Sequence, residues 1–215
     1  MIGRVQRHLE SIYAIDTGLE ARQFLVDPDR ARRLGAATGH TTEELLILQS
    51  GEDELELGLY LCPELLKRME RLNEAPGERV VERALDPYCQ LAEGVSHFLY
   101  VARAAQQGRQ VSLLELEAQA EVDKFATCAL YGWKRGARWA ETLLSRLFHW
   151  VSYRPTLKPH ERWRYEEANR LGRNYCRRLL KHVAANRMDR FLGELRYAYR
   201  LGAEAKLGHF AVQSA

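Results

Sequence analysis

Apolar residues recur at intervals of three and four from Glu78 onward, almost without interruption. This spacing places apolar side chains on one face of a helix. It predicts a bundle of about five helices in the second part of the chain. We expect these helices at residues 79–106, 111–131, 136–152, 159–184 and 187–201. Pro87 lies inside the first and should kink or break it.

Two short apolar segments precede the helical region and alternate with period two, as strands do. Leu45 and Ile47 belong to the first, at residues 43–50, and alternate leucines fill the second, at residues 55–61. The acidic sequence GEDE at residues 51–54 separates them. They predict an antiparallel hairpin with one buried face. A short strand at residues 22–26 is also expected.

The fold class predicted from these patterns is α+β and predominantly α-helical. A small antiparallel sheet near the N-terminus is followed by the helical bundle. Residues 1–77 would form a small α+β part and residues 78–215 a helical part. We expect the two parts to share one core, because no linker of biased composition separates them.

The composition is that of a globular protein, with 46% hydrophobic and 28% charged residues. No apolar run reaches the roughly 20 residues that a membrane span needs. The N-terminus lacks an apolar block of signal-peptide length, and the four cysteines form no CxxC pair. We therefore expect a cytoplasmic protein with reduced thiols and no membrane contact. Apolar residues such as Leu59 and Leu65 could serve a homodimer as well as a core.

Charge is unevenly distributed along the chain. Residues 1–129 hold 14 Lys and Arg against 22 Asp and Glu, whereas residues 130–215 hold 18 against 7. The two halves could attract each other within the fold or across a dimer. Alternatively, the basic half could bind an anionic partner such as nucleic acid.

Arginines alternate with aromatic residues in the helix expected at 159–184. Such surfaces can stack on bases and bind phosphates. The alternative is that the aromatic residues belong to the core and the arginines form a solvated face. The nucleic-acid hypothesis rests on Arg162, Arg164, Arg173, Arg177 and Arg178.

A candidate metal site lies on the first two helices of the bundle. Glu93 and His97 are four residues apart, as are Glu117 and Glu121, so each pair shares a helix face. If the helices are antiparallel about a turn at residues 106–110, His97 falls level with Glu121. Glu93, His97 and Glu121 are then the expected ligands, with Glu117 and Tyr100 as further site candidates. A purely structural polar cluster is the alternative.

The sequence EGVSHFLYVA, at residues 93–102, resembles the metal-binding helix of the ImmA/IrrE-type zincin family. EVDKFATCAL, at residues 121–130, resembles the family's second helix, in which a Glu precedes a Phe-Ala pair by four residues. The resemblance implies that His97 is the second ligand and Glu121 the third. Glu93 replaces the first histidine, and a carboxylate can still bind zinc. Gly94 replaces the catalytic glutamate and cannot act as a base.

Three functional hypotheses follow. The first, which the resemblance implies, is a non-catalytic cytoplasmic interaction or regulatory protein on a degenerate zincin-like scaffold, with an unidentified protein partner. The second is nucleic-acid binding through the basic helices. The third is a metal-dependent hydrolase with an atypical Glu/His/Glu site. We expect no cofactor, although zinc is possible at the Glu/His/Glu site. The sequence has no P-loop, GxGxxG, GxSxG or EF-hand motif that would indicate a nucleotide, acyl-transfer or calcium site.

Overall fold

The structure is a computed structural model that describes residues 1–36, 43–49 and 55–212. A two-stranded sheet near the N-terminus is followed by helices, which confirms the predicted α+β, mostly helical class. The expected turn at residues 51–54 lies outside the described residues. The described elements are α1 (Ile2–Tyr13), α2 (Pro28–Arg33), β1 (Glu43–Gln49), β2 (Leu55–Leu61), α3 (Pro63–Glu70), α4 (Gly77–Gln106), α5 (Leu113–Tyr131), α6 (Gly136–Phe148), α7 (Pro159–Ala184), α8 (Met188–Arg200) and α9 (Ala203–Ala211).

Strands β1 and β2 pair antiparallel, with Glu43 opposite Leu61 at the open end of the hairpin. Leu59 and Leu61 face the main core, as the alternation predicts. The opposite face is covered as well, because Tyr60 packs with small residues of the α2 region in a second, smaller cluster. The sequence pattern had indicated one buried face.

The strand expected at residues 22–26 is instead a single turn of 3-10 helix at Ala21–Phe24. Leu25 then forms an isolated parallel bridge with Leu59. Asp27 follows and caps α2, since its carboxylate accepts hydrogen bonds from the amides of Asp29 and Arg30. The capped helix ends the extended segment after two residues.

Helices α4 and α5 form the antiparallel hairpin on which the candidate site lies. The backbone of α4 is non-helical at Ala84, three residues before Pro87. Proline has no amide hydrogen and its ring crowds the preceding turn, which explains the kink at that point. Ser112 caps α5 by accepting a hydrogen bond from the amide of Glu115, at 3.2 Å.

The main core contains side chains from both ends of the chain, from Val5 on α1 to Phe210 on α9. Phe98 of α4 and Phe125 of α5 are fully buried at its centre. Helix α6 ends at Phe148, four residues earlier than expected, and α9 was not expected from the sequence. Within the described residues, no helix combines the length and apolarity that crossing a membrane requires.

Candidate functional site

Two groups of polar side chains connect α4 and α5 across the hairpin. His97 Nε2 lies 3.5 Å from Glu117 Oε2. One turn away, Lys124 Nζ lies 3.0 Å from Glu93 Oε2 and 3.0 Å from Glu121 Oε1. The helix register is therefore one turn different from the expected one, because His97 contacts Glu117 and Glu93 is level with Glu121.

Two further elements contribute charged side chains to this cluster. Glu43, at the start of β1, places Oε2 3.9 Å from His97 Nδ1. Arg164 of α7 places Nε 3.6 Å from Glu117 Oε1. Glu43 was not among the predicted site residues. It shares a strand face with Leu45, which packs against the main core, and this alternation was the one available signal.

Glu93, His97 and Glu117 form the group best arranged to hold a metal ion. One ligand atom from each lies within 4.8 Å of the other two. His97 is 6% exposed, and its Nε2 has no hydrogen-bond partner among the described residues. The nearest carboxylate oxygen is Glu117 Oε2, and its 3.5 Å separation from Nε2 makes a loose ion pair rather than a hydrogen bond. The side chains of Glu43 and Glu93 are about one-fifth exposed, at 19% and 20%, so solvent reaches the group from their side.

The protonation of the cluster follows from burial and from the neighbouring charges. Burial alone would lower the pKa of His97, but the carboxylates of Glu117, Glu43 and Glu93 outweigh it and raise that pKa to about 9. Burial, reinforced by the charge of Glu93, raises the pKa of Glu43 to about 8. At neutral pH the cluster therefore holds protons on both His97 and Glu43.

Lys124 neutralises the second pair of carboxylates. Burial would raise the pKa of Glu93, but the ammonium of Lys124 and the imidazole of His97 lower it below its ordinary value. Glu121 keeps a raised pKa, since burial and the charge of Glu93 exceed the effect of Lys124. Glu121, the expected third ligand, thus lies beside the group and is held by Lys124.

Tyr100 belongs to a different polar network. Its hydroxyl donates a hydrogen bond to Glu115 at 2.5 Å and accepts one from Lys206, which is fully buried. Lys206 also donates to Gln119 at 2.8 Å. This network is buried in the core. Tyr100, which the sequence analysis named as a further site candidate, therefore belongs to the core network and not to the His97 cluster.

The five arginines of the nucleic-acid hypothesis do not form one patch. Sixteen residues separate Arg162 from Arg178, which is about 24 Å along a helix. Arg164 contacts the candidate site, and Arg162 donates to the backbone oxygen of Arg154 at 3.2 Å. Arg178 instead donates to the backbone oxygen of His209 at 2.7 Å. Arg173 is half-buried and Arg177 is exposed.

Comparisons of the chain with models of known protein families, with curated proteins and with solved structures found no match. The site is therefore interpreted from its own chemistry. One imidazole and two carboxylates are a donor set that zinc, manganese and iron accept. Glu93, His97 and Glu117 could hold such an ion.

Proposed function

We propose that this chain is a metal-dependent hydrolase whose ligands are Glu93, His97 and Glu117. The observation that carries the proposal is the convergence of one ligand atom from each of the three side chains within 4.8 Å, with His97 Nε2 buried and held only by a loose ion pair with Glu117 at 3.5 Å. A divalent ion would pair that nitrogen. It would also compensate two carboxylates that burial otherwise penalises.

If Glu93, His97 and Glu117 held a zinc ion, three protein ligands would leave a position for water, as in catalytic rather than structural zinc sites. A bound divalent ion activates such a water at neutral pH. Glu43 lies next to the ligands without being one of the three, and its side chain is 19% exposed. Without the ion, Glu43 is protonated at neutral pH. A divalent cation beside a carboxyl favours its ionised form, so with the ion bound we assign the Glu43 carboxylate the role of accepting a proton from the water.

This proposal keeps the element order that the zincin resemblance implies: a strand, a ligand helix and a second ligand helix. It changes the third ligand from Glu121 to Glu117 and supplies from β1 the carboxylate that is missing at Gly94. A non-catalytic protein on the same scaffold is the competing hypothesis. It predicts metal binding, or a metal-free cluster, without turnover.

The first test is metal binding to protein purified without chelator or affinity tag. Calorimetric titration with Zn²⁺ and with Mn²⁺ should give one ion per chain. His97→Ala and Glu117→Gln should each weaken binding by more than the roughly 10- to 100-fold that loss of an outer-shell partner of a ligand costs. His182→Ala is the matched control, because His182 also pairs with a glutamate, Glu194, at 3.3 Å on another part of the surface. Equal binding by wild type and His97→Ala would refute the site.

The second test separates a hydrolase from a non-catalytic metal protein. Metal-loaded protein is assayed with chromogenic carboxylate and phosphate esters. Glu43→Gln should bind the ion as wild type does and lose about 10²–10⁴-fold in turnover, the usual contribution of a general base. Full metal occupancy with no hydrolysis of any ester by the wild type would favour the non-catalytic hypothesis.

A further inference from the structure

A basic segment at residues 149–164 connects α6 to α7 and forms the first turns of α7. It contains six residues that are or can be positively charged and one acidic residue, Glu161. The cluster that it adjoins is acidic. The six are His149, Arg154, Lys158, His160, Arg162 and Arg164.

The basic segment borders the proposed metal site. Arg164 lies 3.6 Å from Glu117, one of the three ligands. Arg162 donates a hydrogen bond to the backbone oxygen of Arg154 and so ties the connection to α7. After the stronger effects of Lys124 and His97, the charge of Arg154 contributes to the lowered pKa of Glu93. Burial raises the pKa of Tyr153, and the charge of Glu121 adds to that effect.

The same segment exposes two tryptophans to solvent. Trp150 is 83% exposed and Trp163 is 59% exposed. Trp133 is buried and Trp139 is half-buried, so the exposed indoles of the described chain both lie in this segment. Each exposed indole offers a flat apolar face on which a ligand ring can stack.

We infer that the basic segment is the substrate-binding edge of the metal site, and that the substrate is a phosphate ester carrying a nucleobase. This inference rests on the proposed function and adds its substrate class. The ester could belong to a free nucleotide or to a single-stranded nucleic acid, because both present a phosphate and an unpaired base to the basic segment.

The two kinds of exposed side chain match the two parts of such a substrate. Guanidinium groups bind phosphate oxygens through charge-assisted hydrogen bonds. Tryptophan rings stack on unpaired bases whatever their sequence, whereas bases inside a duplex offer no free face. In the hydrolysis, the oxygen of water bonds to phosphorus as the P–O ester bond breaks. One proton of the water passes to Glu43, and the departing oxygen is protonated from the solvent.

Binding is tested by fluorescence anisotropy of a labelled 12-residue oligo-deoxythymidylate in EDTA, so that neither metal nor turnover intervenes. Competitors are thymidine monophosphate, inorganic phosphate and poly-glutamate, which is anionic but has no bases. Affinity should fall steeply between 50 and 200 mM salt, as phosphate contacts require. Trp163→Ala should weaken binding about 5- to 150-fold, the range for loss of one stacked base. Arg162→Ala should weaken binding and reduce the salt slope by about one.

The controls are Tyr197→Ala and Arg190→Ala, an exposed aromatic and an exposed arginine on α8. Both should bind like wild type. Competition by thymidine monophosphate identifies a nucleotide as a sufficient ligand, and binding of the oligonucleotide without such competition identifies single-stranded nucleic acid. Absence of binding at 50 mM salt, equal competition by poly-glutamate, or equal loss in the control variants would overturn the inference. Metal titration of the same samples separates the two proposals: metal binding without oligonucleotide binding refutes the substrate class alone, and failure to bind metal refutes the hydrolase.

Discussion

Gly94 of α4 and Glu43 of β1 are in contact: a Cβ atom placed on Gly94 would lie 3.3 Å from the Cβ of Glu43 and 3.0 Å from Leu61 Cδ2. The glycine therefore lets the strand approach the helix closely. This approach brings the carboxylate of Glu43 next to His97. A glycine at the place where the zincin pattern has its glutamate thus has a packing explanation of its own.

Gly94→Ala should destabilise the protein. A new methyl group in this contact must push β1 away, and overpacking of this kind costs about 1–3 kcal/mol. The gain in helix propensity, about 1 kcal/mol, offsets only part of that cost. Gly193→Ala on α8 is the control, because nothing lies within 4 Å of its Cβ. In urea unfolding, the free energy of unfolding of Gly193→Ala should equal or exceed that of wild type, and that of Gly94→Ala should be lower. The reverse order would show that β1 can move aside without loss of stability.

Lys124→Met should destabilise the metal-free protein, and it should increase the rise in melting temperature that metal binding produces. The ammonium of Lys124 lies 3.0 Å from both Glu93 and Glu121, whose side chains are 20% and 16% exposed. Removing one partner of a buried ion pair costs about 3–5 kcal/mol, and incomplete burial places this site at or below the lower end. A divalent ion bound through Glu93 should restore part of the loss. Thermal unfolding with and without Zn²⁺ measures both effects, with exposed Lys134→Met as the control. An unchanged melting temperature for Lys124→Met would contradict the neutralising role.

Metal binding should release a proton at neutral pH. The carboxylates around His97, Glu117 first, hold its pKa at about 9 despite its burial, so the imidazole carries a proton at pH 7.5. A metal ligand must be unprotonated, so the ion displaces that proton. Affinity should rise about tenfold per pH unit between pH 8 and 9, more steeply below pH 8 where Glu43 also gives up its proton, and level off above pH 9. Calorimetry in two buffers of different ionisation enthalpy counts the protons. Affinity independent of pH between 6 and 8 would show that His97 is not a ligand.

The sequence predicted the elements well where periodicity alone decides them. Helix α7 begins and ends at the expected residues, and the strands β1 and β2 lie where alternating leucines placed them. Helix α9 was not predicted, although a helix follows Gly202 at Ala203–Ala211. Its buried face consists of Lys206 and Phe210, so a lysine stands where an apolar residue would have completed the pattern.

The composition of the site was less predictable than its location. The i, i+4 pairs placed Glu93 and His97 on one face, but helix spacing does not fix how two helices are offset along their axes. A shift of one turn exchanges Glu121 for Glu117 opposite His97. Glu43 is fifty residues from Glu93 in the sequence, and its contribution depends on how β1 packs on α4. No local pattern contains that information.

Lys206 provides a test of the buried network on α9. Its side chain is fully buried and donates hydrogen bonds to Gln119 at 2.8 Å and to the backbone oxygen of Tyr199 at 3.3 Å. Burial lowers its pKa to about 7, although the charges of Glu115 and Asp123 oppose the shift. Between pH 7 and 10.5 the unfolded chain therefore holds a proton on this lysine that the folded chain lacks.

Stability contributed by this group must rise with pH across that window, because the unfolded state binds more protons there. Above pH 10 the raised pKa values of buried Tyr13 and Tyr199 oppose it, since these tyrosines ionise more readily in the unfolded chain. The usable range is thus pH 7 to 10. Relative to Lys206→Met, wild type should gain up to about 1.4 kcal/mol per pH unit, the slope for one proton. Urea unfolding of both proteins at several pH values gives the difference, in which titrations common to both cancel. If the difference in free energy of unfolding between wild type and Lys206→Met did not change with pH, Lys206 would be charged in the core and neutralised by Glu115 and Asp123.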